Sequence, residues 1–197
     1  MAGCVWHVAG LSSEAERTSE VLRRELGVPR LVARVLALRG LGSPEAARKF
    51  LRADLDDLLD PLLLPDMERA VVRVLRAVRN GEKIRIYGDY DVDGITSTCV
   101  LLNVLKALGA DVDYYIPGRI EEGYGLNRDA VEKAASSGVT LLITVDCGIT
   151  AVDEVELARS RGVDVIVTDH HEPAEELPRA YALVNPKRRD STYPFAD

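Results

Sequence analysis

Three short polar runs concentrate the residues that could do chemistry: Gly88-Asp89-Tyr90-Asp91-Val92-Asp93-Gly94, Asp146-Cys147-Gly148 and Thr168-Asp169-His170-His171. Together they hold five aspartates and two histidines. Carboxylates gathered this densely repel one another unless a cation stands among them. Hard oxygen ligands with one or two imidazoles suit Mn²⁺ or Mg²⁺ better than Zn²⁺. Two such ions about 3.5–4 Å apart would activate water and stabilise the leaving oxygen of a phosphoryl centre. The three cysteines, Cys4, Cys99 and Cys147, lack the spacing of a structural zinc site.

Each run alone has an ordinary explanation. An Asp-x-Asp is commonly a turn or a helix cap. Asp146-Cys147-Gly148 could be a strand-to-helix turn using glycine for its backbone freedom, and His170-His171 a surface pair. What sets them apart is position, since each run follows an apolar segment that reads as a strand. Ile84–Tyr87, Val112–Ile116, Leu141–Val145, Val163–Val167 and Tyr181–Val184 are the expected strands. Helical patterns at Ile95–Leu108, Arg128–Ser136 and Val152–Arg161 separate them. Strands alternating with helices at this spacing predict a parallel sheet flanked by helices, with right-handed crossovers. Ligands of such sheets bind at the carboxyl ends of the strands, where the three runs fall.

Residues 1–80 read as a helical extension to an α/β domain at 81–197. Ser12 or Ser13 caps a helix reaching Leu26, Pro29 opens a second, and Ser43-Pro44-Glu45 starts a third. In 66–80, Met67, Val71, Val74, Leu75 and Val78 are expected to face the core. Arg69, Arg73 and Arg76 are expected to form a solvated stripe. His7 reads as structural.

The segment Pro117-Gly118-Arg119-Ile120-Glu121-Glu122-Gly123-Tyr124-Gly125-Leu126-Asn127 is long and glycine-rich. Arg119 could clamp a phosphate and Tyr124 stack on a base or shape an entrance. Asn127 could bind substrate or cap the following helix. Lys187-Arg188-Arg189 is the densest cationic run; Lys187 is the candidate phosphate contact, with solvated surface as the plainer reading. No Walker lysine loop, G-x-G-x-x-G or G-x-S-x-G occurs, which removes the main signals of P-loop, dinucleotide and α/β-hydrolase chemistry.

Composition agrees with a globular chain: 197 residues, 47% hydrophobic and 29% charged. A net charge of −7 argues against a dedicated nucleic-acid binder, whose domains are usually basic. An odd, small cysteine count excludes a disulfide framework and points to a reducing, cytoplasmic compartment. No apolar stretch is long enough for a membrane span, and the N-terminus does not read as a secretory signal.

In this order the motifs resemble the DHH phosphoesterase superfamily, and within it the RecJ-type single-strand-specific exonucleases. The resemblance takes in Trp6, Leu64-Pro65-Asp66-Met67, Ile86–Gly94, Glu122–Asn127, Val145–Gly148, Asp169-His170-His171 and Val184-Asn185-Pro186-Lys187. Tyr87 stands where the superfamily's small-substrate branches usually carry histidine, which favours the RecJ branch. The resemblance implies Asp91, Asp93, Asp146 and His170 as metal ligands, with Asp89, Asp169 and His171 as ligands or close supports. His171 would face the scissile phosphate, and Asp146, His170 and His171 would carry the catalysis. It implies two ions, Mn²⁺ or Mg²⁺, and removal of mononucleotides from the 5′ end of single-stranded DNA in recombination and repair. A single-strand-binding protein or a helicase is the implied partner. Family members are longer and supply a further ligand and a second domain beyond the DHH motif. The α/β domain is therefore expected to be incomplete at its C-terminus, and much of the DNA-binding surface to lie outside this chain. Two other readings stay open: a phosphodiesterase of short oligonucleotides or cyclic dinucleotides, and a non-catalytic scaffold of the replication machinery.

Overall fold

The computed structural model describes residues 10–195; Cys4, Trp6 and His7 lie outside them. The chain divides into two compact units, Met1–Leu59 and Asp60–Asp197.

In the first unit α1 (Ser13–Leu26), α2 (Arg30–Leu38) and α3 (Pro44–Arg52) bury Leu22, Ala33, Leu36 and Ala47 together. The Ser12 and Ser43 hydroxyls accept from the backbone N–H groups of Ala15 and Ala46, satisfying first-turn donors that the helices cannot satisfy themselves.

The second unit begins with α4 (Met67–Asn80) and continues β1 (Lys83–Tyr87), α5 (Val92–Ala107), β2 (Val112–Tyr115), α6 (Arg128–Ser136), β3 (Val139–Val145), α7 (Val152–Ser160), β4 (Asp164–Thr168) and β5 (Ala182–Val184). The five strands pair in parallel in the order β2-β1-β3-β4-β5. Strands β3 and β4 are apolar on both faces because helices cover both. On one face Val131 and Ala134 of α6 and Val155 and Ala158 of α7 meet Leu142, Val165 and Val167. On the other, Ala70 and Ala77 of α4 and Leu105 of α5 meet Ile84, Ile86, Ile143 and Ile166.

Three expectations are corrected here. Helix α4 belongs to the α/β unit and not to the extension, because its buried residues share a core with β1 and β3. Its inward face is Met67, Ala70, Arg73, Val74 and Ala77, while Val71 and Leu75 are exposed. Arg73 is 3% exposed, its guanidinium held by Asp164 at 2.6 Å and Glu82 at 2.7 Å. A helical arginine reads as solvated only when no acidic partner waits on the sheet; here two do, at the starts of β1 and β4.

Candidate metal centre

The strand order reverses direction at β1: β2 lies on one side of it and β3 on the other. Such a switch point opens a crevice at the carboxyl edge of the sheet. The loops after β1, β3 and β4 meet there, carrying the three polar runs.

After β1 the chain turns directly into α5. Asp91 caps the helix: one carboxylate oxygen accepts the N–H groups of Asp93 and Gly94, each at 3.0 Å. The helix thus starts at Val92, one turn earlier than the apolar pattern indicates. A Cβ on Gly94 would come within 2.5 Å of the Asp89 carbonyl oxygen and 2.6 Å of its nitrogen. Glycine lets the helix start sit against Asp89 and bury it to 3% exposure. One oxygen of that buried carboxylate, Oδ1, has no hydrogen-bond partner.

After β3, Asp146 takes φ +63°, a left-handed conformation that few residues other than glycine, Asn and Asp accept without cost. The turn is held from below: the Thr144 hydroxyl donates to the Cys147 carbonyl at 2.8 Å, and Thr168 donates to the Thr144 carbonyl at 2.7 Å. The strained turn projects the Asp146 side chain over the strand ends, where His170 Nε2 lies 3.0 Å from Oδ1.

After β4, Asp169 is buried and fully engaged. Its Oδ1 accepts the backbone N–H groups of His170 and His171 and approaches His171 Nδ1 at 2.7 Å; Oδ2 accepts the Ile149 N–H at 2.9 Å. The Tyr124 hydroxyl lies 3.1 Å from the same imidazole nitrogen and donates to the Asp146 carbonyl at 3.3 Å. This network places the His171 proton on Nδ1 and leaves the Nε2 lone pair free.

Two groups of side chains result, each with ligand atoms within 4.8 Å of one another: Asp89, Asp91 and Asp146, and Asp146, His170 and His171. Asp146 belongs to both. The electrostatics match crowded carboxylates. Burial and the facing charge of Asp91 raise the pKa of Asp146. The Gly94 N–H, above all, lowers that of Asp91. The donor set fits a hard divalent cation: oxygens and imidazoles, no thiol, and one buried carboxylate oxygen with an unmet need for a partner. Burial and the neighbouring carboxylates raise the pKa of the Cys147 thiol, so it is no nucleophile.

Other candidates fall differently. Asp93 lines a cleft of about 410 Å³ beside Asp146 and His170 and joins neither ligand group. Asp169 supports the histidines, since hydrogen bonds occupy both of its oxygens. Arg119 stacks on Tyr90, 5.2 Å from the ring centroid, beside the first acidic run. Asn127 caps α6, as one of its two sequence readings had it: its oxygen accepts the Ala130 N–H at 2.8 Å, and its amide donates to Tyr87 and Glu122. Lys187 is paired with Glu172 at 3.2 Å. Arg188 is bound to Asp66, Asp190 and the Leu183 carbonyl. Asn185, given no role of its own in the sequence reading, is wholly buried and donates to the His171 carbonyl at 3.0 Å while accepting the Lys187 N–H at 2.7 Å. Its sequence signal was its place in the Val184-Asn185-Pro186-Lys187 run.

A parallel sheet carrying aspartates and paired histidines on its carboxyl edge defines an α/β domain built to gather cations. The model for the DHH family, N-terminal domain, matches residues 83–193, and the chain belongs to the DHH family. It is 48% identical over 176 residues to the single-stranded-DNA-specific exonuclease RecJ of Bacillus subtilis, covering 89% of this chain and 22% of that protein. The Escherichia coli protein of the same name is 40% identical over 168 residues, covering 85% and 28%. A crystal structure of Thermus thermophilus RecJ in complex with Mn²⁺ superposes with a TM-score of 0.64 at 33% identity, covering 90% of this chain and 24% of that one. A further structure, exonuclease RecJ bound to manganese, gives 0.64 at 41% identity over 69% of this chain and 35% of that one. The chain spans about a quarter of the length of the two named relatives.

Proposed function

We propose that this chain is the metal-bearing part of a single-stranded-DNA-specific 5′-to-3′ exonuclease. Asp146 carries this reading, because one carboxylate shared between two ligand groups suits a pair of ions on one phosphate. Asp89, Asp91 and Asp146 would hold one ion, and Asp146, His170 and His171 the other. Manganese or magnesium would supply Lewis acidity at the phosphoryl oxygens and lower the pKa of a water molecule. The protein's own part is positional. Asp169 and Tyr124 orient the His171 ring and Asn185 anchors its backbone, so that Nε2 of His171 would be the nitrogen offered to the second ion, beside the scissile phosphate. Arg119, its guanidinium over the Tyr90 ring, would offer planar donors to a neighbouring phosphate. The half-exposed Tyr124 ring shapes the approach.

Single-stranded DNA is favoured over short oligonucleotides or cyclic dinucleotides by the likeness to single-stranded-DNA-specific exonucleases and by Tyr87, whose hydroxyl is spent on the Gly125 carbonyl at 2.8 Å. Retention of every residue in both groups speaks against a non-catalytic scaffold. A role in DNA repair and recombination in the cytoplasm, beside a single-strand-binding protein or a helicase, accords with that activity. Among the described residues no helix is long and apolar enough to cross a membrane.

The test is Mn²⁺-dependent digestion of a 5′-phosphorylated single-stranded oligonucleotide, with Asp146→Asn as control. Mononucleotides released by the native chain alone support the reading. Equal release by the variant sinks it.

A further inference from the structure

At the opposite edge of the sheet, where β4 and β5 begin, arginines surround Tyr181. Arg69, Arg73 and Arg76 of α4 stand 4.7, 5.9 and 5.8 Å from its ring centroid. Next to the ring is a cleft of about 220 Å³ lined by Arg69, Arg159, Arg179 and Tyr181, with Asp164 at its side. Five guanidiniums thus gather in a protein whose net charge is −7. Three carboxylates answer them: Asp164 and Glu82 pair with Arg73, Asp164 also with Arg76, and Glu156 with Arg159. Two positive charges are left over. Arg69 and Arg179 have no carboxylate within ion-pair distance among the described residues. In the same cluster the buried Nη1 of Arg73 is a donor without an acceptor.

We propose that this cleft is a phosphate-binding site, separate from the carboxylate edge, that takes a dianionic phosphate group: a nucleotide phosphomonoester or free inorganic phosphate. A phosphate monoester carries about −1.5 to −2 charges at neutral pH, which matches the surplus. Guanidiniums present planar forks of donors that engage phosphate oxygens bidentately, and stacking on Tyr181 pre-orders the Arg69 fork. Buried Arg73, tied to the starts of β1 and β4, fixes the position of α4 and so of Arg69. The four residue steps from Asp164 to Thr168, at about 3.3 Å each, span roughly 13 Å, and the histidines lie beyond Thr168. A ligand here does not occupy the metal centre.

The test follows the arginine Nε–Hε resonances of the whole chain by NMR. A chelator keeps cations, and with them phosphate, off the carboxylate edge. Inorganic phosphate is titrated first, then a deoxynucleoside 5′-monophosphate. Saturable shifts at Arg69, Arg159 and Arg179 are expected, with affinity weakened about tenfold in Arg69→Gln and in Arg179→Gln. Both side chains are exposed, so the variants should fold, and circular dichroism checks that they do. Tighter binding of the nucleotide names it as the source; equal affinity names the phosphate alone. Absence of a saturable response overturns the proposal, as does unchanged affinity in both variants. Shifts produced by an acidic peptide but not by phosphate also overturn it and assign the cleft to a protein partner.

Discussion

Asp169 accepts the Nδ1–H of His171 at 2.7 Å with the same oxygen that accepts the backbone N–H groups of both histidines. One buried carboxylate therefore sets the course of the loop, the tautomer of the ring and the direction in which its other nitrogen points. Outer partners of this kind typically govern metal affinity or activity by about 10–100-fold. Asp169→Asn should lower Mn²⁺-dependent cleavage by about that factor. It should also cost about 1–3 kcal/mol, because an amide N–H would face backbone N–H groups that need an acceptor. Cleavage rates beside urea unfolding curves check both effects; native-like cleavage would show that His171 orients without Asp169.

Sharing of Asp146 between two ligand groups predicts a stoichiometry. The native chain should bind two Mn²⁺ ions, His170→Ala should retain one, and Asp146→Asn should retain none tightly. Asn accepts the left-handed backbone at this position, so the loss would not reflect a broken turn. Isothermal titration with Mn²⁺ reads the three values. Two ions on Asp146→Asn would refute the shared position.

The same residue makes the metal-free protein pH-sensitive. Burial and Asp91 raise the Asp146 pKa, so the folded state holds this proton more tightly than the unfolded chain does. Its contribution to stability is complete below the ordinary carboxylate range and is lost as pH rises through the raised value. Asp146→Asn, uncharged at every pH, should therefore be more stable than the native chain at neutral pH without metal, and the gap should close on acidification. Thermal melts in a chelator from acid to neutral pH measure it. Added Mn²⁺ should reverse the order.

Gly94→Ala tests the contact between the α5 start and Asp89. A methyl group there meets backbone atoms of Asp89 that have no flexible end to yield. The expected cost is about 1–3 kcal/mol, as for overpacked cores. Asp89 should be displaced as well, weakening Mn²⁺ binding at the first ligand group more than at the second. Unchanged melting and metal affinity would show that the loop can give way.

How the sheet gathers these groups was largely legible in the chain. The period of apolar residues locates the strands because a parallel strand buried on both faces must be apolar throughout, as Leu141–Val145 is. The polar runs then fall at strand ends, and topology alone carries Asp91, Asp146 and His170 to one edge. Helix caps were legible at Ser12 and Ser43, where a small hydroxyl precedes the first turn. At Asp91 the cap reading and the ligand reading were both open, and the structure shows the cap.

Other assignments depended on partners distant in sequence. Arg73 is spaced like a solvated residue, and only the approach of Asp164, 91 positions away, draws it inside. Asn127 and Asp169 have side chains that could as well have served a substrate or a metal; which role each takes is set by the N–H groups that folding presents to them. Asn185 is likewise recruited by the His171 carbonyl, and Arg188 by Asp66, 122 residues before it. Residue types and their period along the chain determined the sheet, its carboxyl edge and the kind of chemistry gathered there. Which carboxylates face a cation, and which are consumed in holding the loops, was decided only in three dimensions, because a hydrogen bond depends on where its partner arrives rather than on which residues adjoin it.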